Sequence, residues 1–126
     1  MATIQKLIPM LFYASLATAA VAAPDQSVAP KAYVVADIHV TNPSGYQAYL
    51  SAISPVVKKY GGIYIARAGR TSTVEGAPPS GRVVLIEFPS FAAAEAFEAS
   101  PEAVAAGAIR HRTATSRIFV VEGTNP

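Results

Sequence analysis

Hydrophobic and polar positions change their period several times along the chain. From Ala32 to Val40 they alternate, with Val34, Ala36, Ile38 and Val40 on one side and Tyr33, Val35, Asp37 and His39 on the other. A period of two, rich in β-branched residues, predicts a strand. After Asn42-Pro43 the spacing turns helical, with Tyr46, Tyr49, Leu50, Ile53, Val57 and Tyr60 on one stripe. Asn42 suits the N-cap, and Pro43 the first turn, where a missing N–H costs nothing. Pro55 is expected to kink this helix or restart it after Ser54, and Gly61-Gly62 to end it, with Gly61 in the left-handed region. Ile63 to Arg67 reads as a second strand. Ala68-Gly69 is expected to form a bulge and Thr71 to Glu75 to continue the ribbon, with a turn over residues 76–81. Arg82 to Phe88 reads as a third strand, with Val84, Ile86 and Phe88 opposite in side to Val83, Leu85 and Glu87. Ser90 caps a short helix with Phe91, Ala94 and Phe97 inward and Glu95 and Glu98 outward. Ser100-Pro101-Glu102 restarts it as a second helical piece reaching about Arg112, where Arg110, His111 and Arg112 suit the negative end of the helix dipole. Arg117 to Glu122 reads as the last strand.

The order β-α-β-β-α-β predicts an α+β, ferredoxin-like domain over residues 32–123, an antiparallel sheet with both helices on one face. Residues 124–126 are a tail. The helices cover one face only. The other carries Val35, Val83, Leu85 and Phe119 or Val120, which is too apolar for the solvated face of a small monomer. A second copy related by a two-fold axis covers such a face most simply, so a homodimer is expected.

The chain has 126 residues, enough for one domain, and 52% are hydrophobic, enough for a packed core. Residues 1–22 read as a signal peptide. Lys6 supplies the positive region, Leu7 to Thr18 the apolar one, and Ala20-Val21-Ala22 the small-residue cleavage pattern. The apolar run is too short for a permanent span and contains Pro9. Residues 23–31 then form a flexible lead-in, the mature protein is periplasmic or secreted, and no stable membrane anchor remains. Ten basic residues stand against eight acidic ones, and loss of Lys6 leaves the balance close to even. That is no electrostatic footprint for nucleic acid. The absence of cysteine excludes disulfides, thiolate metal sites and cysteine nucleophiles.

Few residues carry candidate chemistry. Asp37 and Glu87 fall on the face away from the helices, where dimerisation would partly bury them and raise their pKa, as suits a general base. The plainer alternative pairs each with a neighbouring arginine. Strand register puts them about four residues apart, roughly 13 Å, which is too far for a shared-proton dyad. His39 is a further acid/base candidate beside Asp37, or simply an exposed strand-end histidine. Arg67 could reach Glu87 as an ion pair, or anchor a carboxylate ligand at a cleft mouth. Tyr46 belongs to a stripe that is core first and ligand wall second. Arg110, Arg112 and Ser116, with Arg117, form a basic corner, either compensating the helix dipole or rimming an anion site. No histidine spacing supports a metal site, and no phosphate loop, nucleophile elbow or cofactor motif is present.

Several patterns together resemble the family called domain of unknown function 1330. They run from Tyr33-Val-Val-Ala-Asp37 and Val40-Thr-Asn-Pro through Tyr46-Gln-Ala-Tyr49, Tyr60-Gly-Gly62 and Arg67-Ala-Gly69. Val84-Leu-Ile-Glu-Phe-Pro-Ser90, Phe97, Ser100-Pro-Glu102, Arg110, Arg112, Ser116-Arg117 and Val121-Glu-Gly123 complete them. The resemblance implies a dimeric α/β-barrel, a scaffold that includes cofactor-free monooxygenases, isomerases and haem enzymes, so fold alone selects no reaction. This chain departs from the family at Glu98 and Ala103, where an aromatic residue is frequent. The reading that results is an exported dimer binding a small organic ligand, in particular an acid, in a cleft on the sheet face lined by Asp37, His39, Glu87 and Arg67. A non-catalytic periplasmic structural or stress module, a cofactor-free oxygenase or isomerase, and a haem binder are the alternatives.

Overall fold

The computed structural model describes residues 2–4, 9–19 and 28–125. Its elements are β1 (Ala32–Val40), α1 (Pro43–Lys59), β2 (Ile63–Arg67), β3 (Arg82–Phe88), α2 (Phe91–Ala99), α3 (Pro101–Thr113) and β4 (Ala114–Glu122). The strands form one antiparallel sheet in the order β2-β3-β1-β4, and the fold is ferredoxin-like, as the element order predicts. β1 pairs along its length with β3 on one side and β4 on the other.

Local chemistry explains the helix ends. The Asn42 side chain accepts from the Gly45 N–H (3.1 Å), Ser90 from Ala93 (3.1 Å) and Ser100 from Ala103 (3.1 Å). At the end of α1, Gly61 N–H bonds to the Lys58 carbonyl (3.0 Å) and Gly62 N–H to that of Val57 (2.9 Å). This pattern requires a left-handed residue, and Gly61 supplies it at φ +79°. The helix runs unbroken through Pro55 instead of kinking or restarting. Pro55 is exposed, so water can serve the carbonyl that its ring leaves without a donor.

The even-numbered positions of β1 and β3 face the helices. Ala32, Val34, Ala36, Ile38, Val84, Ile86 and Phe88 are buried there against Tyr46, Tyr49, Ile53, Val57 and Phe97. Phe88 packs on Phe97 with ring centroids 5.0 Å apart, and Phe97 on Tyr60 at 6.3 Å. Among the described residues no element covers the opposite face. Ile63, Phe119 and Val121 are 60%, 50% and 45% exposed, with Val35, Val83 and Leu85 partly exposed among them.

The strands depart from expectation in three places. Thr71 to Glu75 is not a strand, and the irregularity in the ladder lies between Tyr64 and Ala66 rather than at Ala68-Gly69. Ala68 takes a left-handed φ of 56°, which turns the chain out of the sheet. β4 also begins at Ala114 rather than Arg117, because Ala114, Thr115 and Ser116 pair with Val40, His39 and Ile38. Where the chain leaves β4, Gly123 N–H donates to the Lys31 carbonyl (2.7 Å), beside the start of β1.

The cleavage pattern at residues 20–22 and Lys6 lie outside the described residues. Residues 9–19 carry no regular structure, with Met10, Phe12 and Leu16 almost fully exposed. Among the described residues no helix is long and apolar enough to cross a membrane.

Candidate functional site

A cavity of about 40 Å³ lies between the helices and the sheet, toward the Ile38 and Arg82 end of the central strands. Its floor is apolar, built from Val34, Ala36, Ile38, Val84 and Ile86, with Leu50 and Ile53 of α1 across from them. Three arginines enter this apolar space from three elements. Arg82 begins β3 on the side of Val84 and Ile86, and its guanidinium stands 5.3 Å from the Tyr46 ring centroid. Arg110, in the last turn of α3, stands 5.3 Å from the Tyr49 ring and donates to the Tyr49 hydroxyl (3.2 Å). Arg67, at the end of β2, lies 4.2 Å from the Tyr64 ring and donates to Ser54 Oγ (3.2 Å). Each cation therefore rests on an aromatic face, which holds it without neutralising it.

Glu98 of α2 is the one acid in the wall. Burial pushes its carboxyl above the ordinary range, while the nearby Arg110 pulls it back down. Burial likewise raises the hydroxyls of Tyr46 and Tyr49. The Nε atoms of Arg82 and Arg110 are buried without a hydrogen-bond partner among the described residues. A buried guanidinium N–H that finds no acceptor is costly, and the described residues supply none to these two.

The sequence-predicted residues divide between the two faces. Tyr46, Arg67 and Arg110 line the cavity. Asp37, His39 and Glu87 do not, because their parity places them on the uncovered face. Asp37 accepts from Ser80 N–H (2.9 Å), Ser80 Oγ (3.1 Å) and Gly81 N–H (3.0 Å). The Ser80 backbone bond, above all, holds its carboxyl below the ordinary range against some opposing desolvation. A carboxylate so engaged is a poor base; it fastens the loop that precedes β3. His39 donates from Nδ1 to the Ser80 carbonyl (3.2 Å) and serves the same loop. Gly81 is required at the clasp, since a Cβ there would strike the Ile38 carbonyl.

Glu87 pairs with Lys31 (2.8 Å). It stands opposite Tyr33, four register steps from Asp37, as expected. Arg67 does not reach it: after the irregularity in β2, Arg67 stands opposite Val84 and turns to the helix side. The basic corner is dispersed as well. Arg110 points into the cavity, Arg112 is exposed on α3, and Arg117 stands opposite Asp37 on the far face. Ser116 lines only a shallow groove with Asp37, Pro78 and Arg117. Among the described residues no cluster could hold a metal ion.

Arg82 and Glu98 were missed as site residues, and signals for both are in the sequence. Arg82 shares the parity of Val84, Ile86 and Phe88, so it is a charge at a core-facing position. Glu98 lies four residues after the buried Ala94, on its helix face rather than outward. The two departures from the family pattern, Glu98 and Ala103, both stand in the cavity wall.

A protein of unknown function from Rhodopseudomonas palustris has a similar structure, with a TM-score of 0.61 at 19% identity over 80% of this chain and 88% of that one. SnoaB, a cofactor-independent oxygenase from Streptomyces nogalater, is similar with a TM-score of 0.54 at 12% identity, over 78% of this chain and 97% of that one. At these identities the likeness is one of fold alone. No curated protein matches the chain. Residues 31–124, the whole folded domain, match the family described as Domain of unknown function (DUF1330), and to that family the chain belongs.

Proposed function

We propose that this protein binds a small organic anion in the cavity between its helices and its sheet. The carrying observation is that Arg82 and Arg110, whose Nε atoms are buried without a hydrogen-bond partner among the described residues, line one apolar space. A carboxylate is the acceptor that suits a guanidinium fork, and low local dielectric strengthens the bond. Arg67 is exposed and stands at the mouth, where it can close over the ligand. This replaces the cleft on the open sheet face, whose carboxylates are already engaged with the loop and with Lys31.

Calorimetric titration with short carboxylates tests the reading. Arg82→Met and Arg110→Met should each weaken binding at least about tenfold, the size of one charge-assisted hydrogen bond. Arg82→Met should keep or raise the melting temperature of the free protein, because an unsatisfied buried donor has been removed. A large loss of stability with unchanged binding would mean that Arg82 is structural and the site is wrong.

A second copy of the chain is the proposed cover for the open face. Ile63, Ile65, Phe119 and Val121 are exposed there. The charges around them are balanced within the chain, Lys31 paired with Glu87 and Arg117 opposite Asp37, so two copies can meet there without opposing unpaired charges. Export with loss of residues 1–22 is proposed on the signal pattern and on the exposure of Met10, Phe12 and Leu16 away from the folded domain. Native mass spectrometry of protein recovered from a periplasmic extract reads both: a dimer of chains beginning at residue 23 is expected, and a full-length monomer counts against both.

A further inference from the structure

The anion site has a second pole. Glu98 is the only acidic residue of the wall, and it makes neither a hydrogen bond nor an ion pair among the described residues. Arg110 lies near but forms no ion pair with it, and its NH1 donates to the Tyr49 hydroxyl. An ionised carboxylate only accepts. Half-buried and without a donor of its own, it brings acceptor capacity to the cavity that Arg82 and Arg110 also line. In a purely anion-binding pocket that carboxylate is a defect, since it repels the ligand. It becomes useful if the ligand brings a donor along with its negative charge.

Volume limits the ligand further. A water needs about 10–15 Å³ of such space, and a cavity of roughly 150 Å³ admits benzene. The observed volume, about 40 Å³, holds about three waters, room for a carboxylate and the group next to it but not for a whole acid, so the rest of the ligand must extend past the exposed Arg67. The donor must then sit beside the carboxylate in the ligand. A hydroxyl fits better than an ammonium group, because three guanidiniums against one carboxylate repel a second cation.

We propose that the cavity selects a 2-hydroxy acid, its carboxylate held by Arg82 and Arg110 and its hydroxyl donated to Glu98. The assignment rests on the anion-site reading and adds the hydroxyl preference to it.

The test is calorimetric titration of the full chain with lactate, propionate and alanine, in the wild type and in Glu98→Leu and Glu98→Gln. Lactate should bind about tenfold more tightly than propionate, as one hydrogen bond to a charged acceptor contributes, and alanine should bind more weakly than lactate. Glu98→Leu should erase the preference by weakening lactate while leaving propionate equal or tighter. Glu98→Gln, which keeps an acceptor oxygen and nearly the same shape, should retain part of it and covers the case that the leucine variant fails to fold. Equal wild-type affinities for lactate and propionate, or a preference that survives in Glu98→Leu, overturn the hydroxyl assignment and leave the anion site standing. Tightest binding by alanine assigns an amino acid ligand and overturns the hydroxyl assignment as well. If none of the three binds, the anion site falls and this assignment falls with it.

Discussion

Asp37 shows how a residue that looks catalytic can be architectural. Its three acceptor bonds to Ser80 and Gly81 join β1 to the loop before β3. Asp37→Asn should lower the melting temperature and leave affinity for carboxylates unchanged, as paired melting and titration measurements would read. Its folded pKa is lowered below 3.8, so its contribution to stability is present above that value and fades as pH falls through the folded pKa. Melting temperature should therefore fall less steeply with acidification below about pH 4 in Asp37→Asn than in the wild type. Glu98 titrates the other way, with its carboxyl raised by burial. Arg110, Tyr46, Tyr49, Arg67 and Arg82 surround it in the wall. Propionate, which offers no donor, should bind more tightly as pH falls toward the range where Glu98 takes a proton, and Glu98→Leu should flatten that dependence. Alternation correctly assigned Asp37 and Glu87 to the uncovered face. What lay beyond reach was the loop, since no local pattern says that Ser80 and Gly81 return to β1 across more than forty residues.

At the scale of elements, caps and periods were legible because their causes are local. Asn42, Ser90 and Ser100 each cap the helix they were expected to cap. Ser100 is buried and acts twice, donating to the Phe97 carbonyl (2.8 Å) while accepting from Ala103. Ser100→Ala should cost about 1–2 kcal/mol in chemical denaturation, the upper range for a cap, because a buried carbonyl also loses its donor. Gly61→Ala should cost about 1 kcal/mol for forcing a Cβ into the left-handed region. The region after β2 misled because Thr71 to Glu75 has strand-like composition but no partner. Strand pairing is not a local property, and the left-handed Ala68 removes the segment from the sheet. Arg67 was expected near Glu87, but the antiparallel ladder sets Ile63 opposite Glu87 and Arg67 opposite Val84, and the irregularity between Tyr64 and Ala66 turns it to the helix side.

For the whole molecule, the one-sided placement of the helices matters most. It was readable from element order, and it leaves Ile63, Ile65, Phe119 and Val121 in water. Phe119→Asp should convert a dimer to a monomer in light-scattering chromatography while leaving the helix–sheet cavity able to bind its anion, because the two faces do not share side chains. Loss of binding together with dimerisation would mean that the partner completes the site. The cavity was harder to foresee, since residues of all four strands and all three helices line it at once.

The bond from Gly123 to Lys31 brings the two ends of the folded domain together beside β1. Topologically the domain is nearly a closed ring, which makes the order of its elements negotiable. A circular permutant that joins residues 31 and 123 by a short linker and opens the chain at exposed Thr73 should fold to the same sheet. The same closeness means that the domain could be inserted into a loop of another protein without prying that loop apart.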